Sequence, residues 1–95
     1  MSYRIDIYIG SDNGSKRVHR GYLDKVKKWA NDNFPDGYTL LRGQGCYHGI
    51  SEDSLVINVL SDQNFALRDR LEGLKQQLCQ EAILIVRAQV DFEVV

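Results

Sequence analysis

The chain has 95 residues, of which 43% are apolar and 26% charged, and its formal charge is −1. These totals fit one soluble globular domain over residues 1–95, small enough that association into an oligomer is expected. A nearly neutral chain has no broad electrostatic attraction for nucleic acid or a membrane, and no stretch approaches the roughly 20 apolar residues of a spanning helix. Cys46 and Cys79 lack the spacing of a zinc site and neither histidine has a second ligand at helical spacing, so we expect no metal, no cofactor and a reducing cytoplasm.

The first half of the sequence predicts a strand, a helix and a second strand. Apolar residues alternate with polar ones over about 3–10, the period of a strand with one buried face. The turn formers of 11–15 lack the Gly-Lys-Ser pattern of a phosphate-binding loop and are interpreted as a plain loop. A helical stripe predicts a helix from Val18 to Asn33, which Phe34-Pro35-Asp36-Gly37 ends. A strand follows from about Tyr38 to Leu41 and can extend to Tyr47.

The second half predicts a strand, a helix and a last strand. Glycines at 43, 45 and 49 indicate a pliable loop, which is the leading candidate for a site. The strand from Leu55 to Leu60 is apolar on both faces, as expected if a neighbouring subunit covers one of them. Ser61 or Asp62 can cap a helix that ends near Cys79 and carries a leucine stripe at 67, 71, 74 and 78. Alternating apolar residues from Ala82 to Val94 predict the last strand.

This order of elements predicts the split β-α-β arrangement of an α+β, ferredoxin-like βαββαβ sandwich. Four antiparallel strands would form the sheet, with both helices packed on one face. The fold alone does not define a function. The sequence shows no serine or cysteine in a nucleophile setting, no metal cluster and no dinucleotide fingerprint. It therefore favours either a substrate that carries its own reactivity or binding without catalysis.

Short motifs in the second half of the chain resemble one family. Gly45-Cys46-Tyr47 is followed by Glu52-Asp53 before a strand, by Ser61-Asp62 before a helix, and by the run from Gln80 to Ile85 with Gln89 beyond. This order is similar to that of the bacteriophage S-adenosylmethionine lyases. The resemblance implies a PII-like fold and a homotrimer with active sites between subunits. It also implies a role in countering host defence, in the host cytoplasm if the protein is encoded by a phage.

In that family, the resemblance implies, the carboxylate of S-adenosylmethionine attacks the γ-carbon of the same molecule. The products are 5′-methylthioadenosine and homoserine lactone. Because the substrate is its own nucleophile, neither a metal nor a general base is required.

The resemblance also implies roles for individual residues. Tyr47 would position the amino-acid part of the substrate, and Glu52 would bind its ammonium group. The gap between Tyr47 and Glu52 is shorter than the family pattern, so Asp53 is an alternative to Glu52. Glu81 would accept hydrogen bonds from the ribose hydroxyls. Two further residues, without an assigned role, are expected to contact substrate: Gly45 and Gln89.

Two alternatives to a lyase acting on free S-adenosylmethionine remain open. Related enzymes cleave the conjugate of S-adenosylmethionine with AMP, a CRISPR signalling molecule, and the sequence does not distinguish the two substrates. The other alternative is a PII-like module that binds a nucleotide between subunits without turnover.

Overall fold

The computed structural model describes all residues from 1 to 95. Six elements follow one another along the chain: strand β1 (Ser2–Gly10), helix α1 (Arg20–Asn33), strand β2 (Thr39–Tyr47), strand β3 (Ile50–Ser61), helix α2 (Arg68–Gln77) and strand β4 (Leu84–Val90). Neither helix is long and apolar enough to cross a membrane.

The four strands form one open sheet in the order β2-β3-β1-β4, and every neighbouring pair is antiparallel. In the central pair Ile7 lies opposite Ile57, and Gly10 lies opposite Ser54. The hairpin between β2 and β3 has a two-residue loop, His48-Gly49, whose φ angles are 51° and 78°. Positive φ at both positions is typical of the type I′ turn, whose twist matches that of the strands.

The core lies between one face of the sheet and both helices. Alternate residues of the two central strands are buried together with one stripe from each helix: Ile5, Ile7, Ile9, Leu55, Ile57 and Val59 from the sheet, and Tyr22, Val26, Ala30, Leu71 and Leu74 from the helices. Because side chains alternate along a strand, the remaining residues of β1 and β3 point to the opposite face. Both helices therefore cover the same face, and the predicted ferredoxin-like arrangement is confirmed.

The second face of the sheet carries no helix and is partly apolar. Several large side chains on it are exposed, namely Tyr8, Leu41, Leu60 and Leu84. At its centre the Asp6 carboxylate accepts a hydrogen bond from Asn58 Nδ2 at 2.7 Å and pairs with Arg4 at 3.1 Å. We call this surface the open face.

Two predictions in the first half need correction. Helix α1 begins at Arg20 and not at Val18, because the Val18 N–H donates to Asp53 Oδ2 and His19 is the N-cap, whose side chain accepts from the Tyr22 N–H. The pliable loop predicted over the glycines is largely strand. Gly43 and Gly45 lie within β2, which takes the longer of its two predicted extents.

Strand β3 and the two last elements also differ from their predictions. Strand β3 begins at Ile50, so Glu52 and Asp53 lie inside it. Neither Ser61 nor Asp62 caps α2, because Ser61 is the last residue of β3 and its Oγ accepts the Gln63 N–H in a turn. The leucine stripe of α2 is confirmed, since all four leucines are buried: Leu67, Leu71, Leu74 and Leu78.

The start of α2 and the length of β4 are set by tertiary contacts. Arg87 donates to the Asn64 side chain and to the Phe65 carbonyl, both at 2.8 Å, and the Phe65 ring packs edge-on against Phe34. These contacts keep Asn64 and Phe65 outside helix α2. Strand β4 spans only Leu84–Val90, and not 82–94, because its partner β1 pairs with it only from Ser2 to Tyr8.

Replacing a central core residue tests this arrangement. Ile57 is 0% exposed in the middle of β3, and we expect Ile57→Ala to lower the free energy of unfolding by about 2–5 kcal/mol because it leaves a cavity. Urea denaturation measures the loss. The exposed control Lys27→Ala is expected to stay within about 0.5 kcal/mol of the wild type, and an equally small loss for Ile57→Ala would contradict the assignment of Ile57 to the core.

Candidate functional site

A cleft lies where the loop after β1 meets the adjacent ends of β2 and β3. Its volume is about 600 Å³, within the usual range for small-ligand pockets. Ten residues line it, and only Val18 among them is hydrophobic: Ser15, Lys16, Arg17, Val18, His19, Arg42, Gln44, Ser51, Glu52 and Asp53. The cleft is thus a polar, water-accessible groove in the single chain.

Asp53 fixes the loop that forms one wall of the cleft. Its backbone N–H donates to the Lys16 carbonyl at 3.0 Å, and its carboxylate accepts the Val18 N–H at 3.0 Å. Arg42 adds a bond from Nη2 to the Val18 carbonyl at 3.1 Å. Asp53 therefore has a structural role within this chain, because its carboxylate already satisfies a backbone donor.

The same loop is closed internally by Asp12. Its carboxylate accepts the N–H groups of Gly14 and Ser15 and contacts His19 Nε2 at 3.3 Å. The backbone hydrogen bonds from Gly14 and Ser15, followed by the bond to His19, hold the pKa of Asp12 below its usual value. This is the behaviour of a turn-forming aspartate, as the sequence predicted for the loop.

Glu52 is one of the residues that line the cleft, and its carboxylate is bonded to a buried serine. Ser11 is 0% exposed, and its Oγ donates to Glu52 Oε2 at 3.1 Å. Gly45 lies directly opposite Glu52 in the β2–β3 pair. A Cβ added to Gly45 would meet nothing nearer than 4.0 Å, so packing within the chain does not require glycine there. The structure thus brings together three of the predicted residues: Gly45, Glu52 and Asp53.

Two side chains next to Glu52 were not among the predicted site residues. Gln80 donates from Nε2 to the Ser11 carbonyl at 2.7 Å, and the Tyr22 hydroxyl donates to the Gly10 carbonyl. A Cβ on Gly10 would lie 3.2 Å from Gln80 Oε1, so glycine leaves the room that this side chain occupies. Gln80 precedes Glu81 in a motif that resembles the family, whereas Tyr22 lies in the predicted helix of 18–33 and belongs to none of those motifs.

The hydroxyl of Tyr22 lies in an environment that disfavours its ionised form. Burial raises the pKa of Tyr22 to about 12, and the negative charges of Asp12 and Glu52 act in the same direction. Tyr22 is therefore a hydrogen-bond donor at neutral pH, not a proton acceptor. Through its hydrogen bond to the Gly10 carbonyl, the Tyr22 side chain links the buried face of α1 to the end of β1.

Tyr47 lies at the tip of the β2–β3 hairpin and is 73% exposed. Its ring packs edge-on against His48, with centroids 4.2 Å apart, and it pairs with Ile50 across the hairpin. It does not line the cleft. Within one chain its aromatic surface is available to a ligand or to another molecule.

Neither Glu81 nor Gln89 lines the cleft in the single chain. Glu81 is exposed and lines a second groove, of about 480 Å³, between α2 and β4. Gln89 pairs with Tyr3, seven residues along β1 from Gly10. At about 3.3 Å per residue this places Gln89 about 23 Å from the cleft end of the sheet. One chain therefore does not unite all the predicted residues.

No protein-family model matches the sequence, and no curated protein matches it. No three His, Cys, Asp or Glu side chains are grouped so as to hold a metal ion.

Solved structures of a phage S-adenosylmethionine lyase share the fold of this chain. One, in complex with S-methyl-5′-thioadenosine, has a TM-score of 0.63 and 16% identity over 93% of this chain and 81% of that chain. Another, in the apo state, has a TM-score of 0.60 and 16% identity over 90% of this chain and 78% of that chain. The resemblance inferred from the motifs is thus confirmed at the level of the fold.

The environment of Tyr22 gives a prediction for stability at high pH. Because the folded pKa is raised, the unfolded chain releases the hydroxyl proton first, and the free energy of unfolding should fall as the pH rises from about 10 to about 12. Urea denaturation across this range measures the fall. At neutral pH, Tyr22→Phe should lower the free energy of unfolding by about 1–2 kcal/mol, because it removes one hydrogen bond. Between about pH 10 and pH 12 its free energy of unfolding should fall less than that of the wild type.

The control Tyr8→Phe removes a hydroxyl on the open face and is expected to keep the wild-type pH dependence. If the free energy of unfolding fell equally with pH in Tyr22→Phe and in the wild type, the Tyr22 hydroxyl would not be the group responsible. Its assignment as a buried hydrogen-bond donor would then be contradicted.

Proposed function

We propose that this protein is a lyase that breaks S-adenosylmethionine into 5′-methylthioadenosine and homoserine lactone. The observation that carries the proposal is the Glu52 carboxylate, which is bonded to a buried serine and belongs to a residue lining a cleft of ligand size. The shared fold with phage S-adenosylmethionine lyase structures supports it, as does the order of short motifs in the second half of the chain. A role in countering host defence belongs to the same proposal.

The proposed reaction needs no nucleophile from the protein. An oxygen of the substrate carboxylate forms a bond to the γ-carbon, the bond from that carbon to sulfur breaks, and its electron pair stays on sulfur. A sulfonium becomes a neutral thioether and a carboxylate becomes a neutral ester, so opposite charges disappear in the transition state. Such a step is faster in a site that excludes water and fixes the reactive conformation.

Glu52 is the residue best placed to act on this substrate. A carboxylate next to the cleft would attract the ammonium group of the amino-acid part and leave the substrate carboxylate free to attack. Its bond from Ser11 Oγ restricts its conformation, which reduces the cost of ordering it when substrate binds. Asp53, the sequence alternative, already accepts the Val18 N–H, so Glu52 is the stronger candidate of the two.

The remaining predicted residues fit the proposal if identical chains associate. The cleft is open to water in one chain, and Tyr47, Glu81 and Gln89 lie outside it. The open face presents uncovered apolar side chains, the kind of surface that marks an interface. We propose a homotrimer in which neighbouring chains cover this face, complete the cleft and exclude water.

A glutamate-to-glutamine change tests the chemistry. Glu52→Gln keeps an oxygen that can accept the Ser11 bond but removes the negative charge, so we expect turnover to fall at least about a hundredfold, or about 2.7 kcal/mol in the barrier, with the fold unchanged. Release of methylthioadenosine from S-adenosylmethionine, followed by mass spectrometry, measures turnover. The control Glu93→Gln, on the exposed C-terminal segment, should retain wild-type rates.

The same assay separates the candidate functions. Binding of S-adenosylmethionine without any release of methylthioadenosine would favour the PII-like binding module. Turnover of the AMP conjugate alone would identify that compound as the substrate. A near-normal rate for Glu52→Gln would remove Glu52 from the site.

Assembly is tested by a charge placed on the open face. Leu60 is 49% exposed in the single chain, so Leu60→Asp should be tolerated by the folded monomer but should disrupt an apolar interface. Sedimentation velocity is expected to show trimers for the wild type and for the control Lys27→Asp, and monomers without turnover for Leu60→Asp. A wild type that is monomeric and fully active would refute the shared site.

A further inference from the structure

A separate pocket lies at the far end of β3 from the cleft. It is lined by the last residues of α1 and the turn that follows them, by the end of β3, and by part of the segment before α2. Its volume is about 320 Å³, which is enough for a small organic molecule. Along β3 its first lining residue, Val59, is six residues from Asp53 of the cleft, or about 20 Å. We call this cavity the distal pocket.

One part of the distal pocket is apolar and preformed. Four hydrophobic side chains line it: Phe34, Val59, Leu60 and Phe65. The two phenylalanine rings meet edge to face, with centroids 5.2 Å apart and an interplanar angle of 84°. Trp29 packs against the Phe34 ring in the same way, at 5.7 Å. Because these rings already support one another, an apolar ligand group can bind there without first ordering the side chains.

The charged residues that line the distal pocket are all acidic. They are Asp32 and Asp36, and no lysine, arginine or histidine lines it. Asp32 pairs with Lys28 at 3.1 Å, but both side chains are exposed, so this pair is weak. Asp36 forms no salt bridge. The negative charge of Asp36 is therefore not compensated within the chain.

Three cations contact lining residues without lining the distal pocket themselves. Lys28 pairs with Asp32, Arg70 donates to the Asn33 side chain, and Arg87 donates to the Phe65 carbonyl. Each of them is engaged with a protein oxygen atom. None of them bonds Asp36, so this carboxylate stays available to a ligand.

The end of helix α1 adds to the attraction for a cation. Asp32 and Asn33 are its last two residues, both line the distal pocket, and the last turn contains no basic residue. The carbonyls of Asp32 and Asn33 accept no hydrogen bond from the protein. Pro35 cannot bond them, because proline has no N–H. The negative end of the helix dipole thus lies beside the distal pocket and is not neutralised in that turn.

We propose that the distal pocket binds a small organic amine. The ammonium group of the ligand lies beside Asp36, and its apolar body packs against the phenylalanine rings. An ammonium group carries three N–H donors, which match the acceptors at this end of α1, and its bonds to a carboxylate are strengthened by charge. A carboxylate or phosphate ligand would be repelled, and a neutral ligand would gain only from the apolar part.

Two ligands with the same carbon skeleton test the proposal. They are 2-phenylethylamine, which is protonated at neutral pH, and 2-phenylethanol, which has no charge. In NMR titrations of the complete chain we expect the amine to bind at least about tenfold more tightly at low salt, with the advantage shrinking as salt is added. The amide signals of Phe34, Gly37 and Ser61 should shift. Equal affinities, no binding of either, or shifts confined to other regions would overturn the proposal.

Single variants that each remove one negative charge locate the site. Asp36 is exposed, so Asp36→Asn should leave the fold intact and abolish the advantage of the amine over the alcohol. The control Asp24→Asn removes an exposed carboxylate elsewhere on α1, and Glu52→Gln removes a carboxylate next to the cleft. Both should preserve that advantage. An unchanged preference in Asp36→Asn, or an equal loss in Asp24→Asn or Glu52→Gln, would contradict a specific amine site beside Asp36.

These measurements use neither S-adenosylmethionine nor turnover, so the two proposals can fail separately. If the amine binds the distal pocket but S-adenosylmethionine is never cleaved, the lyase function fails and the amine site stands. If methylthioadenosine is released but the amine has no advantage over the alcohol, the amine site fails and the lyase function stands.

Discussion

The candidate site depends on the hydrogen bonds by which Asp53 joins β3 to the loop after β1. One bond uses the backbone and the other the carboxylate, so a single residue fixes both Lys16 and Val18. Together with the bond from the Lys16 N–H to the Asp12 carbonyl, they hold Lys16 at its positive φ of 60°. Asp53 therefore contributes to the position of the cleft wall and to the start of the helix, alongside Asp12 and the His19 cap.

Behind the cleft, a chain of polar contacts connects the site to the core. Ser11 is fully buried, its hydroxyl bonds Glu52, and its carbonyl accepts from Gln80. The Tyr22 hydroxyl bonds the adjacent Gly10 carbonyl from the helix side. Buried polar groups are costly unless they are paired, and no buried side-chain polar atom in this molecule lacks a partner. Glu52 is thus connected by hydrogen bonds to paired polar groups at the edge of the core.

Two features of the single chain agree with the proposed association of identical chains. The cleft is polar and open, which opposes a reaction that gains from the loss of charge in a dry site. The open face of the sheet leaves apolar side chains in water. Association of identical chains would remedy both, because covering the sheet and closing the cleft each remove surface from water.

The sequence by itself determined the order and type of the elements, the ferredoxin-like arrangement and the leucine stripe of α2, because hydrophobic periodicity and turn residues are local signals. It left open whether the glycines at 43 and 45 lie in a strand, and it did not reveal that α2 begins only at Arg68 or that β4 ends at Val90. Those boundaries follow from pairing partners and from contacts such as the bonds of Arg87 to 64–65. Tertiary structure alone brought Ser11, Gln80 and Tyr22 around Glu52, since contacts between residues far apart in the chain leave no periodic trace in the sequence.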